Sequence, residues 1–259
     1  MSFGDTKQAA TARPHGKKTS FLKLGQGIAT TIRILGQEHL DFTHYINGTT
    51  VKCLGDECPL CLNNKRLFVE FPKTYKNDPS FSARTKRYSV NILDKTMVKK
   101  CKCGLEYTDL SVTNCSCGQI ITSAPEPSNS VKVLSRGASL FDQLFAINDA
   151  VLDEKGERVG IDNFDITLIV SGSGKQTMIT PIPQPDRRNP VPEGLELFEL
   201  DKITIELDPG EILDLQRGAS VRDIFAARRA TASVDTTQSV EADESVRAEV
   251  ESLFRNASI

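Results

Sequence analysis

Seven cysteines, all between Cys53 and Cys117, are the residues best suited to chemistry in this chain of 259. They fall into two groups. The first is Cys53, Cys58 and Cys61, with Pro59-Leu60 enclosed by the last two. The second is Cys101-Lys-Cys103-Gly, then ten further residues, then Cys115-Ser-Cys117-Gly. Zinc takes four nitrogen or sulfur donors in a tetrahedron, and a tight knuckle carrying two thiolates supplies half of that set at low loop-closure cost. Gly104 and Gly118 follow the two knuckles and let the chain bend around an ion. The repeated Cys-x-Cys-Gly predicts a tetrathiolate site made by Cys101, Cys103, Cys115 and Cys117.

The first group lacks one donor, because seven thiols fill one site of four and leave three. His44, nine positions before Cys53, is the nearest candidate in sequence. Its position on the apolar face of a strand also suits a packed core histidine. His39 and His15 are alternatives, and spacing alone leaves open a partition in which Cys58 and Cys61 join one of the Cys-x-Cys pairs. Catalytic zinc keeps a position open for water and favours His or carboxylate ligands, so two thiolate-rich sites read as structural. Two zinc ions are expected, stapling loops rather than running a reaction.

A second pattern lies between Phe68 and Tyr88. Here Phe68, Phe71, Tyr75, Phe81 and Tyr88 interleave with Lys73, Lys76, Arg84, Lys86 and Arg87. Single-stranded nucleic acid is bound by this combination, cations neutralising phosphates while rings stack on unpaired bases. Some of these rings belong to the core; Tyr75, Phe81 and Tyr88 are expected to be the exposed ones. There is no tryptophan, so stacking falls to Tyr and Phe. Lys99, Lys100 and Lys102 add charge beside the second cysteine group. The string from Ser171 to Gln176 superficially resembles a phosphate loop, but Ile169 stands where the first glycine belongs and Gln176 follows Lys175. A hairpin turn is the better reading. No Ser/His/Asp arrangement, HExxH or deaminase signature is present, and an enzyme is not expected.

The elements that must position these residues are mostly short strands. Ile28, Ile32 and Ile34 fit one, and Leu40, Phe42, His44 and Ile46 alternate along the next. Asn47-Gly48 signals a hairpin into Thr49–Lys52. Residues Cys58–Phe71 suit a short helical turn after Pro59. Tyr88, Val90 and Ile92 mark a strand, as do Val131 and Val133, and Leu140–Ile147 follows helical spacing with Ser135 or Ser139 as N-cap. Phe164–Ser171 and Gln176–Thr180 are two strand-like runs, and Ile212–Leu215 and Val221–Arg229 are short helices. The fold class is mainly β, an OB-fold barrel with zinc-binding insertions at 44–61 and 101–117, plus a short helical and acidic C-terminal region.

Domain boundaries follow composition. Residues 1–20 form a flexible basic arm that includes Lys17 and Lys18, and 21–180 form the core. Residues 181–193 are a Pro-rich linker or strap, 194–230 a C-terminal extension, and 231–259 an acidic mobile tail. The formal net charge of −2 conceals an asymmetry. Residues 1–150 carry 20 Lys/Arg against 13 Asp/Glu, whereas 151–259 carry 12 against 21. A basic front half and an acidic back half suggest polyanion binding plus an acidic tail. No N-terminal run reads as a signal peptide and no stretch approaches ~18 apolar residues, so a soluble intracellular protein with reduced thiols is expected.

Several of these segments resemble a known family. Phe21-Leu-Lys-Leu-Gly25, Thr31-Ile-Arg-Ile-Leu35, His44 and Cys58-Pro-Leu-Cys61 occur in that order, followed by Val131-Lys-Val-Leu-Ser-Arg-Gly137 leading into Leu140–Ile147. With the later Phe164–Gly174 stretch, they are similar to the single-stranded-DNA-binding proteins of tailed phages over roughly residues 20–180. The resemblance implies an OB-fold that coats single strands in replication, recombination and repair, working in the cytoplasm of an infected bacterial host. It implies zinc held by His44, Cys53, Cys58 and Cys61, and a basic arm (Lys17, Lys18) that promotes cooperative binding to neighbouring copies. It also implies an acidic tail that recruits phage replication and recombination proteins. Apart from the resemblance, residues 231–259 are expected to offer partners an acidic, Phe254-tipped peptide and to compete weakly with DNA for the groove. A shorter spacing from His44 to the thiols and the extra Cys101–Cys117 ribbon depart from the family pattern. The alternative reading is a zinc-ribbon transcription or replication accessory factor that binds duplex DNA or a polymerase. A purely structural interaction module is the third.

Overall fold

Alternating apolar residues carry one strand much further than the two short runs expected. In the computed structural model, which describes residues 19–172, 176–185 and 191–230, β1 spans Ala29–Ile46 without a break. It bends where the register shifts between Leu35 and His39, at Gly36 with its positive φ of 82°. The Asn47-Gly48 turn then leads into β2 (Thr49–Lys52), both turn residues having positive φ as a tight hairpin requires. After β2 come α1 (Pro59–Glu70), β3 (Thr85–Asp94), β4 (Met97–Lys100), β5 (Glu106–Tyr107) and β6 (Glu126–Pro127). Then follow β7 (Ser130–Gly137), α2 (Ala138–Ala150), β8 (Asp165–Ser171), β9 (Met178–Gln184) and α3 (Pro209–Gln216), with residues 221–230 also helical. The molecule is mainly antiparallel β with a few helices. α2 opens on Gly137 rather than on either serine proposed as its cap.

The described residues divide into two units, 19–44 with 84–205 and 45–83 with 206–230. The first holds the main sheet, ordered β7-β3-β1-β8-β9, and a small sheet ordered β5-β4-β6. On one face of the main sheet, Ile32, Ile34, Val90, Ile92, Leu134, Ile166 and Leu168 meet Leu140, Phe141, Leu144 and Phe145 of α2. The other face is covered too. Leu35, Leu93, Val131 and Val133 lie under Phe198, with Leu195, Leu197, Leu200 and Ile203 packed around it. The Asn91 carboxamide holds this strap by bonding both the N–H and the C=O of Phe198 at 3.0 Å. Burial on both faces explains why polar β-strand residues there need partners. Arg33 and Lys95 converge on Asp165, with Arg33 Nη2 at 2.6 Å and Lys95 Nζ at 3.0 Å.

Both edges of the sheet are blunted. Residues 181–184, expected to open a linker or strap, form the second half of β9, and Pro181 and Pro183 offer no N–H to a further strand. At the other edge, Val133 of β7 accepts from Leu22 and donates to Ser20, so residues 20–22 run parallel beside it. Among the described residues the sheet is an open path, and no closed barrel forms. In the second unit, α1 packs with α3, which opens on a capping box between Asp208 and Glu211. Glu211 also pairs with Arg228 from the helical residues beyond.

Candidate functional site

Two four-donor groups form among the described residues: His44 with Cys53, Cys58 and Cys61, and Cys101 with Cys103, Cys115 and Cys117. In each, the ligand atoms all lie within 4.8 Å of one another. In this arrangement Cys58 and Cys61 join Cys53 and His44 rather than either Cys-x-Cys pair. His39 lies elsewhere, its ring 3.2 Å from Asp41, and His15 falls outside the described residues.

The first group is built around the start of α1. Cys58 is its N-cap, Pro59 its first residue, and Cys61 stands within its first turn. Thiolates placed there are favoured by the positive end of the helix. Cys53 follows β2 and brings its Sγ to 3.6 Å from that of Cys61. Cys58 and His44 are both almost fully buried, which would suit an enclosed ion. In the protein without metal, burial and the neighbouring thiols push Cys61 up to about 12.

The second group is a ribbon of two near-identical knuckles. The Cys101 amide donates to Leu105 and the Gly104 amide to Cys101; fourteen residues on, the Cys115 amide donates to Gln119 and Gly118 to Cys115. Gly104 and Gly118 have φ of 90° and 86°, the left-handed conformation that closes each turn behind the second thiol. One cysteine of each knuckle is buried and one exposed. The Sγ separations are 3.7 Å for Cys101–Cys117 and 3.5 Å for Cys103–Cys115. A tetrahedral zinc with Zn–S near 2.3 Å sets its sulfurs about 3.8 Å apart, whereas a disulfide needs about 2.05 Å. The donors fit the first and not the second. The Tyr107 hydroxyl donates to Cys115 Sγ at 3.1 Å, and chiefly for that reason the metal-free Cys115 thiol is held down at about 6. Cys117 is pushed up to about 12, mainly by its contact with Cys115. The two clusters can hold two metal ions, and the donor set suits zinc. Lys100 serves Glu126 and Glu106 at the ribbon's base rather than the thiolates.

The basic–aromatic segment divides between the two units. In the second unit, Tyr75 sits edge-on between Phe68 and Phe81, with ring centroids 5.3 and 5.4 Å apart. Lys73 and Lys76 are exposed, the Lys76 amine 5.7 Å from the Tyr75 ring. The rings most exposed among this unit's described residues are Tyr45, Phe68 and Phe71, rather than Tyr75 and Phe81. In the first unit, Tyr88 is a core residue, stacked on Phe141 at 5.1 Å, because its strand neighbours Val90 and Ile92 carry it onto the α2 side. Arg84 and Lys86 are exposed, and Arg87 bonds Ser135 Oγ at 2.8 Å. Burial and then the charge of Arg136 lower the pKa of Arg87. Phe42 and Arg136 are the members that sequence missed. Phe42 lies 4.0 Å under the Arg84 guanidinium, and Arg136 stands opposite Tyr88 across β3 and β7. Their signal was available only as strand register. Lys17, Lys18 and Phe254 lie outside the described residues.

Fold and site together define a mainly antiparallel β protein with two four-donor clusters that could each hold a metal ion. No protein-family model matches the chain, and neither does any curated protein sequence. No helix among the described residues is long and apolar enough to cross a membrane.

Proposed function

We propose that this protein binds single-stranded DNA without sequence preference and coats unpaired strands, with zinc in both clusters as a structural staple. The observation that carries the reading is that the cations of the basic–aromatic segment go without carboxylate partners. Among the described residues, carboxylates occupy Arg33, Lys52, Arg66, Lys95, Lys100, Lys132, Arg158, Lys202, Arg217 and Arg228. No such pair involves Lys73, Lys76, Arg84, Lys86 or Arg87. Lys76 and Arg84 stand beside the Tyr75 and Phe42 rings, and with Lys73 and Lys86 they are exposed and available for phosphates, which is what a sequence-tolerant strand binder requires.

The strand order supports an OB-type arrangement. Read along the chain, β1, β3, β7, β8 and β9 are five strands in the order 3-2-1-4-5, with α2 between the third and fourth. That is the order of an OB barrel opened between its third and fifth strands, whose second and third strands form a common nucleic-acid face. A role in phage replication, recombination and repair, cooperative contact with neighbouring copies through the arm and recruitment of partners through the acidic tail complete the reading.

Oligo-dT binding by the full chain, measured over a salt series with duplex competitor, tests it. Strong, salt-sensitive binding that duplex does not displace is expected, with a log–log slope near −0.7 for each phosphate neutralised. Displacement by duplex would favour the zinc-ribbon accessory factor instead, and no binding at all would refute both.

A further inference from the structure

The register of β1, β3 and β7 gathers a second set of groups that the linear segment does not show. Phe42 stands opposite Lys86, Leu40 opposite Tyr88, and Tyr88 opposite Arg136. Side chains alternate along a strand, so Leu40 and Phe42 of β1, Lys86 and Tyr88 of β3, and Arg136 of β7 share one face. Tyr88 identifies that face as the α2 side, since its ring stacks on Phe141. Beyond Tyr88 the packed core thins: Leu40 is 39% exposed, Phe42 half-buried, and Lys86 exposed.

At this rim the Arg84 guanidinium lies 4.0 Å from the centroid of the Phe42 ring. A guanidinium held over a ring presents a flat, cationic surface on which a base can stack. Lys86 and Arg136 flank it, and among the described residues neither they nor Arg84 is paired with a carboxylate. The opposite end of the same two strands is arranged differently, Lys132 of β7 being neutralised by Asp94 of β3 at 2.6 Å. An internal charge network would repeat that pairing at the rim; a site for an external anion would omit it.

We propose that Phe42, Arg84, Lys86 and Arg136 form a nucleotide subsite. One unpaired base stacks on the Phe42–Arg84 platform, and its flanking phosphates lie against Lys86 and Arg136. The subsite rests on the single-strand reading above and extends it to two residues outside the basic–aromatic segment.

The test compares the full chain with Phe42→Leu and Arg136→Gln for binding to oligo-dT, to oligo-rU and to an abasic strand of the same length. Phe42→Leu is expected to weaken oligo-dT binding about ten-fold, the loss of one base stack, while leaving abasic binding unchanged. Arg136→Gln is expected to weaken all three and to reduce the salt slope by about 0.7. Equal losses on oligo-rU assign the subsite to unpaired nucleotides of either sugar, and losses confined to oligo-dT assign it to DNA. Arg84→Gln, at an exposed position, keeps the test open if Phe42→Leu loosens the fold, and should mimic it on oligo-dT. Wild-type affinity in these variants overturns the subsite while the single-strand reading stands. Failure of the unmodified chain to bind any strand overturns both.

Discussion

Replacing Cys103 by serine should release the ribbon while leaving the main sheet in place. Cys103 is exposed, so the substitution removes a metal donor and almost no packing. Apart from its donors the ribbon has little to hold it. β5 is two residues long, and the satellite core consists of Cys101, Cys115 and Ile121 with Tyr107 and Val112 against them. Closing a loop of the length between Cys101 and Cys117 is worth about 3 kcal/mol by chain entropy alone. At about 1.4 kcal/mol per factor of ten, loss of the staple should raise local opening more than 100-fold. Amide hydrogen exchange reads this at the knuckles, where Cys101, Gly104, Cys115 and Gly118 donate their N–H groups. Metal content should fall from two ions per chain to one. Amides of β3 and β7, which rest on Val90, Ile92 and Leu134, should exchange as before. Two ions retained, or knuckle protection unchanged with one ion lost, would refute the assignment of the ribbon as a metal-stapled unit.

Three further outcomes are expected. Asp165→Asn strands the buried Arg33 and the nearby Lys95 without their carboxylate, and should cost about 3–5 kcal/mol in urea unfolding, whereas replacing all three by apolar residues of similar volume should restore much of it. Asn91→Ala removes the two side-chain bonds to the Phe198 backbone, so a loss of about 1–3 kcal/mol and faster proteolysis within 191–205 are expected; wild-type resistance would show that apolar packing alone holds the strap. Tyr107→Phe removes the hydroxyl that holds Cys115 at about 6, so its metal-free pKa rises and less thiolate is present at a given pH. During acid titration the ribbon should then release its ion at a higher pH, with affinity at neutral pH down about 10–100-fold; an unmoved release midpoint would remove Tyr107 from the site.

What was legible in the sequence was what repeats locally. The two Cys-x-Cys-Gly knuckles needed only their spacing, because each turn is closed by its own backbone and a glycine. The Asn47-Gly48 hairpin and the helical run at Leu140–Ile147 were equally self-contained. Tyr88 was misjudged because a basic neighbourhood says nothing about which face of a strand a ring occupies; period-2 alternation with Val90 and Ile92 does, and puts it against Phe141. Phe42 and Arg136 were invisible for a related reason: the residues they meet are distant in sequence, and a register between strands is not a property of either strand alone.

Closure of the sheet turns on the same distinction between local and non-local information. Prolines at 181 and 183 predict a linker or strap, since proline usually ends regular structure. In an edge strand the missing N–H groups cost nothing on the free side, so β9 can run through both residues while pairing with β8. The same prolines leave β9 unable to donate there to a further strand. Across the sheet, Ser20 and Leu22 already use the Val133 amide and carbonyl on the edge that β7 would present. A barrel of this strand order would close by joining those two edges. One lacks donors and the other has its central residue engaged, so the open sheet follows from Pro181, Pro183 and the segment at residues 20–22.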